Sequence, residues 1–548
     1  MKRRLLSILM GFMMVASIGL VGCQSGSETN KAENEAKAVT ETAANESEAK
    51  ASETEKETNK MEKVDGGTMI VRVASDSRVI HPLYGNDRTT LTLVNHIFSP
   101  LYILNGDEVD YWLAQEVKPS EDYLSYTLKL KEGLTWHDGE AISADDLVFT
   151  FNTIMDDNQG SHTKSSFVTS KGDVKIEKVD DLTVKFLLPE VQVGFLDTIG
   201  GIRMFPKHVY QNIENIQASD VNNHPIGSGP FKFESRNEGE TITLARFDKF
   251  FEGAANLEKV VFRIIPDSAS AEIAFKNGEI DVMNIHAEDV QKLDGEAEIL
   301  AFDEDRVGYI IINENNEVLK NQKLRQAIAY AINRDEVLKA TYMSTDYAKP
   351  AYSFLADKAL YKTDDVEKYA FNPEKAKTLL KESGLENVTL TMAYIGKDDI
   401  REILVQKYLS DVGINVELKA MDMASFYNAL FDPAHNNSYD LAFNGYIYGK
   451  EPSAYAQIFE TGSMNNVNSY TNPEVDKLWN LAAKEIDKSK REQLYKDIQQ
   501  KIMEDVPMYP ISYGYAIVAV NPHFKGLEEA EPAPIHMFND LSKIYMVK

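Results

Sequence analysis

The chain has 548 residues, with 86 acidic side chains against 58 Lys and Arg, a formal net charge of −28, 43% apolar residues and a single cysteine. Such an acidic surface repels nucleic acid and anionic headgroups. One cysteine excludes a disulfide framework and Cys-based zinc or iron–sulfur sites, so two to four domains must rest on conventional apolar cores.

The first predicted element is a leader. Met1-Lys2-Arg3-Arg4 precedes an apolar run from Leu5 to Val21, ending in Leu20-Val21-Gly22-Cys23. A basic start, a short apolar core and small residues before a cut describe a secretory signal. The run is too short and too broken by Ser and Gly for a transmembrane anchor. Its ending resembles a bacterial lipobox, which implies cleavage after Gly22 and a diacylglycerol on Cys23. Paired acyl chains hold a soluble domain stably at a membrane. From Gln24 to about Gly66 the chain is Ser, Thr, Glu, Ala, Asn and Lys with few large apolar residues, the composition of a disordered tether.

Order is expected from the strand Thr68–Val73. Alternation across Leu124–Leu130 and Leu182–Phe186 predicts two half-buried strands. Between them Ser143, three residues before Asp146, caps a helix carrying Leu147, Val148, Phe151 and Ile154. Leu324, Ala327, Ile328 and Ala331 share one helix face, and Asn333 with Glu336 restarts a second helix. Asn372-Pro373 and Asn472-Pro473 open two more, the first closed by Gly384. Strands and helices alternate, which indicates an α/β or α+β body.

Familiar catalytic signatures are missing: there is no G-x-S-x-G, no phosphate loop, no H-E-x-x-H and no G-x-G-x-x-G. The ten histidines show no ligand spacing, so no metal site and no cofactor are expected. His137-Asp138-Gly139 reads as a turn after a strand. Gly227-Ser228-Gly229-Pro230 lacks the Lys and helix of a phosphate loop and reads as a tight turn before a strand.

Several segments in order are nevertheless distinctive. They are Tyr126 to Gly133, Trp136-His137-Asp138-Gly139-Glu140, Ser143 to Phe149, Gly227 to Phe231, Leu324 to Arg334, Asn372 to Leu380 and Tyr470 to Pro510. Together they resemble the dipeptide/oligopeptide-binding family of ABC importer solute-binding lipoproteins, over roughly Thr68 to the C-terminus. The resemblance implies a non-enzymatic receptor with a two-lobed type II periplasmic-binding-protein fold, a paired-strand hinge and an extra inserted domain. Mapped here, lobe one combines 68–101, 222–305 and 512–548; the insertion is 102–221 and lobe two 306–511. Val307–Asn313 and Met508–Ser512 stand where hinge strands belong. The implied partners are an oligopeptide, a permease with its ATPases, and the membrane through Cys23; the receptor is a monomer on the outer face of the cytoplasmic membrane.

In that family a bound peptide adds as a strand, with main-chain hydrogen bonds giving affinity. Tyr439 to Tyr448 matches the receiving strand, which nominates Gly445, Tyr446 and Ile447. His96 to Tyr102 matches the facing segment, which nominates Ser99 and Leu101. An acidic side chain beyond the strand pairs with the ligand's amino group in peptide-binding members. One alignment places Glu451 there and another places Tyr448, so ligand class stays open among peptides and the oligosaccharides, nickel chelates, haem or opines of related receptors. A receptor that presents peptide signals is a further possibility.

Overall fold

The computed structural model describes residues 62–548, apart from 107, 344–345, 397–399 and 433–437. Cys23, the leader and most of the tether lie outside the described residues. The central feature is a sheet of eleven strands. One half carries Phe231–Asn237, Thr241–Arg246, Lys259–Ile264, Thr68–Val73 and Val282–Asn284 in that spatial order. The other half carries Leu441–Ile447, Thr389–Ile395 and Asn415–Met421. Two long antiparallel strands, Glu298–Ile312 and Met508–Val520, run through both halves and form the hinge. Met508–Val520 also pairs with Ala348–Pro350.

The apolar run Val307–Ile312 shows why a sheet forms there. Val307, Tyr309 and Ile311 enter one core, while Ile310 and Ile312 enter a second on the opposite face. A strand covered by helices on both sides reads as continuous apolar sequence rather than an alternation. The helices Ala456–Phe459, Pro473–Ala482 and Lys488–Asp505 cover the first face. Gln322–Ala331 and Ile400–Asp411 cover the second.

Where the two halves meet, the hinge ladder is irregular. The register shifts between Asp303 and Arg306, and Asp305 has φ +52°. The Asp303 carboxylate accepts the Asp305 N–H at 3.0 Å, a local bond that holds the bulge. A bulge bends and twists a strand pair, so the ribbon turns direction between the two lobes.

A separate four-stranded antiparallel sheet orders Ala114–Pro119, Ser125–Leu130, Thr183–Leu187 and Lys175–Lys178. Its helix Ala144–Met155 begins with the expected reciprocal capping box of Ser143 and Asp146. Arg334–Tyr342, Pro373–Ser383 and Pro473–Ala482 begin at Asn333, Asn372 and Asn472, whose side chains accept first-turn N–H groups. Gly384 at φ +73° ends the second. Trp136–Glu140 closes the expected turn, with the Gly139 N–H on the Trp136 carbonyl at 2.9 Å.

Gly227-Ser228-Gly229-Pro230 is more than a turn. Neither glycine has positive φ; each is glycine for want of space. A Cβ on Gly227 would lie 2.0 Å from the Ile97 carbonyl oxygen, and one on Gly229 2.3 Å from that of His96. Ser228 and Gly229 donate their N–H groups to the Ile97 carbonyl at 3.0 and 2.8 Å. His137 takes the Gly227 N–H on Nδ1 at 3.1 Å and bonds the Gly229 carbonyl through Nε2 at 3.0 Å. The segment thus clasps 96–99 to the Trp136–Glu140 turn.

Candidate functional site

Leu441–Ile447 pairs along its whole length with the hinge strand, from Leu441 opposite Ile312 to Ile447 opposite Arg306. Its other side is different. On that side Thr389–Ile395 reaches only Leu441 and Ala442 of the strand, through Met392 and Ala393. Among the described residues, no strand covers that side of Phe443–Ile447. Past Ala442 the two strands part, and a cavity of about 240 Å³ opens between them, lined by Arg306, Tyr342, Tyr394, Arg401, Phe443 and Asn444 among others. An unpaired strand edge beside a cavity is the geometry that takes up an extended chain: backbone groups bond the ligand's main chain and the cavity receives a side chain or terminus.

Gly445, Tyr446 and Ile447 all lie on this open segment. The Tyr446 side chain is engaged within the protein, which leaves its main chain as the group offered to a ligand's backbone. Its ring packs against Tyr309, Tyr448 and Tyr455 at 5.2–5.7 Å between centroids, and its hydroxyl donates to the Phe354 carbonyl at 2.5 Å. Burial pushes the Tyr446 hydroxyl's pKa well up. Tyr448 belongs to the same aromatic cluster, 5.6 Å from Tyr455.

Glu451 stands apart from that cluster. It precedes the short turn Pro452–Tyr455, and its carboxylate accepts the Ser453 N–H at 3.4 Å. A segment after the four-stranded sheet reaches across to it: a Cβ on Gly194 would lie 3.4 Å from Glu451 Cγ and 2.7 Å from Ser453 Oγ. Burial raises the Glu451 carboxyl above its ordinary range, opposed by the Ser453 N–H and the Arg491 guanidinium. Two bonds fix the approach. Val193 N–H donates to the Ala483 carbonyl at 2.9 Å, and Lys484 Nζ meets Glu190 at 2.7 Å. The other Glu190 oxygen accepts the N–H and hydroxyl of Ser170 at 3.0 and 2.6 Å.

Ser99 and Leu101 are placed otherwise than expected. Both are 0% exposed, so neither offers surface to a ligand in this structure. The Ser99 hydroxyl donates to the Ser228 carbonyl at 3.2 Å, and the Leu101 carbonyl accepts the N–H groups of Trp112 and Ala114. Ser99 holds the clasp, and Leu101 the start of the four-stranded sheet. Sequence reasoning also missed Arg306 and the Glu190–Gly194 contact; the only signal was a lone arginine ending the acidic run Asp303-Glu304-Asp305 before the hinge strand. Among the described residues, no group of three or more His, Cys, Asp or Glu is placed to hold a metal ion.

Comparison with known proteins fits this geometry. Residues 108–467 match the bacterial extracellular solute-binding proteins, family 5. The oligopeptide-binding protein AppA of Bacillus subtilis is 27% identical over 511 residues, covering 87% of this chain and 91% of AppA. The crystal structure of the ABC transporter substrate-binding protein CtaP from Listeria monocytogenes superposes with a TM-score of 0.85 at 40% identity, over 88% of this chain and all of CtaP. AppA of B. subtilis in complex with a nonapeptide gives 0.76 at 25% identity, over 89% of this chain and all of AppA. The matched span exceeds half the chain and the fold is the type II two-lobed one, so this protein belongs to family 5 of the bacterial extracellular solute-binding proteins.

Proposed function

We propose that this protein captures oligopeptides in the cleft between its lobes and delivers them to an ABC importer, acting by binding and not by catalysis. The observation that carries the reading is the open edge of Phe443–Ile447 beside the hinge cavity, in a fold shared with a relative solved with a nonapeptide. Glu451, brought against the segment from the opposite lobe, is the favoured partner for the ligand's ammonium group. Tyr448 is already engaged in aromatic packing, and a largely covered carboxylate facing an ammonium is a strong charge-assisted pair. Gly445, Tyr446 and Ile447 supply main-chain bonds. The division into lobe one (68–101, 222–305 and 512–548), insertion (102–221) and lobe two (306–511) is part of this reading, and the break in the hinge ladder where Arg306 pairs with Gly514 supports it. Closure about that ribbon would present the liganded form to the permease. A lipid on Cys23 keeps the receptor, a monomer, at the outer face of the cytoplasmic membrane.

The test is mass spectrometry of small molecules released when the purified mature protein is denatured. Peptides of mixed sequence are expected. A single sugar, metal chelate or opine as the released species refutes the peptide reading.

A further inference from the structure

The cavity beside the open strand edge carries an arginine that the fold leaves open. Arg306 ends the hinge bulge and is exposed. In a chain with 86 acidic residues, no hydrogen bond or ion pair holds its guanidinium among the described residues, whereas neighbouring Arg88 is paired with Glu304 at 2.5 Å.

Its position is nonetheless specific. Three glycines surround it: Gly308 faces Gly445 across one ladder, and Gly514 faces Arg306 itself across the other. A Cβ on Gly445 would lie 2.7 Å from Arg306 Nη2 and 3.0 Å from both Cζ and Nε. The plane of the guanidinium therefore lies against bare backbone at Gly445. A Cβ on Gly514 would lie 2.8 Å from the Tyr342 hydroxyl and 3.9 Å from Arg306 Cδ. Tyr342 is itself placed by Ser512, with the two hydroxyl oxygens 3.3 Å apart. Arg306, Gly308, Tyr342 and Ser512 all line the cavity beside the open strand edge.

We propose that Arg306 is the carboxylate-binding group of this site. The inference rests on the peptide reading given above and adds a polarity to it: the ligand's amino end lies toward Glu451 and a ligand carboxylate lies toward Arg306. A planar fork of N–H donors matches a carboxylate bidentately, which an ammonium does not. The carboxylate is either the α-carboxylate of a short peptide or an acidic side chain within a longer one. The absence of side chains at Gly308 and Gly445 leaves room for the guanidinium over the strand pair, beside the cavity.

The experiment uses the mature protein and a mixed library of tri- to pentapeptides made both as free acids and as C-terminal amides, with retention read by mass spectrometry. Free acids should be retained in preference to amides by about ten- to thirtyfold, the loss expected for one charge-assisted pair in a partly solvated site. Arg306→Gln should abolish the preference without raising or lowering the retention of amides that lack Asp and Glu; Arg306→Lys should restore part of it. Amides retained only when they contain Asp or Glu would support the carboxylate site with a side chain as its source. Equal retention of acids and amides of every composition, unaltered in Arg306→Gln, overturns the inference while leaving the peptide reading intact. No retention of any peptide overturns both. Arg306 is exposed, so an unchanged melting temperature for the variant separates lost binding from lost fold.

Discussion

Replacing Lys484 with Met removes one cation from the contact between Lys484 and the segment that follows the four-stranded sheet. In the wild type Lys484 sits 2.7 Å from Glu190, whose side chain is 7% exposed while that of Lys484 is 39% exposed. The bonds from Lys484 and then Ser170 depress the Glu190 carboxyl from 4.5 to about 2. Taken whole, that depression corresponds to about 3 kcal/mol. Ser170 supplies part of it from the same lobe, and solvent around Lys484 screens the rest, so about 1–2 kcal/mol depends on closure. The ratio of closed to open molecules should therefore fall about tenfold in Lys484→Met at pH 7. The sign with pH follows from the depressed carboxyl: the contribution is complete above 4.5 and disappears as pH falls toward 2. Wild-type closure should weaken across that window, and the variant should show a flatter profile. The assay is a distance distribution between labels on cysteines introduced at exposed Lys171 and Leu481, with Cys23 replaced by Ser. An unchanged distribution at pH 7 would refute the reasoning, and would assign closure to the Val193–Ala483 bond and ligand contacts alone.

Glu451→Ala should weaken peptide binding by about 2–5 kcal/mol, measured by calorimetry, if its carboxylate meets the ligand ammonium; unchanged affinity moves the anchor elsewhere. Gly229→Ala should destabilise the fold by about 1–3 kcal/mol or more in urea unfolding, because the new methyl meets backbone at His96 and Ile97 and not a movable side chain. Gly445→Ala presents the opposite case. Its methyl meets the far end of Arg306, so stability should change by less than about 0.5 kcal/mol while the acid-over-amide preference is lost. His96 is 1% exposed and burial lowers its pKa from 6.5 to about 3, with Arg203 adding to the shift. The folded state then resists protonation that the unfolded chain accepts, so stability present above pH 6.5 is lost on acidification. His96→Gln should reduce the wild-type loss between pH 7 and pH 5 by about 2 kcal/mol, and an identical pH profile for the two proteins would contradict this.

The readings that held rest on local physics. Asn333, Asn372 and Asn472 cap helices because each side chain bonds N–H groups two or three residues away, and no other part of the molecule is needed for that. Val307–Ile312 was legible as a buried strand because both of its faces are apolar. The same strand's beginning at Glu298 was not, because Asp303-Glu304-Asp305 carries no apolar period; its pairing with Tyr515–Val520 supplies what the segment lacks. Ser99 and Leu101 show the converse. Matching the facing segment does not reveal that both residues are buried, Ser99 against the 227–230 clasp and Leu101 against Trp112 and Ala114.

Sequence alone therefore determined the alternation of strands and helices, their caps, the family resemblance and the strand Leu441–Ile447 that the resemblance nominated. Each of these is written in neighbouring residues or in the order of short segments. Only the tertiary structure decided which edge of that strand is open, that Glu451 meets Gly194, that Lys484 reaches Glu190, and that Arg306 lies on Gly445. These depend on residues far apart in the chain, brought together by two hinge strands whose pairing no local pattern encodes. A bare glycine beneath an arginine has meaning only once the strands lie side by side.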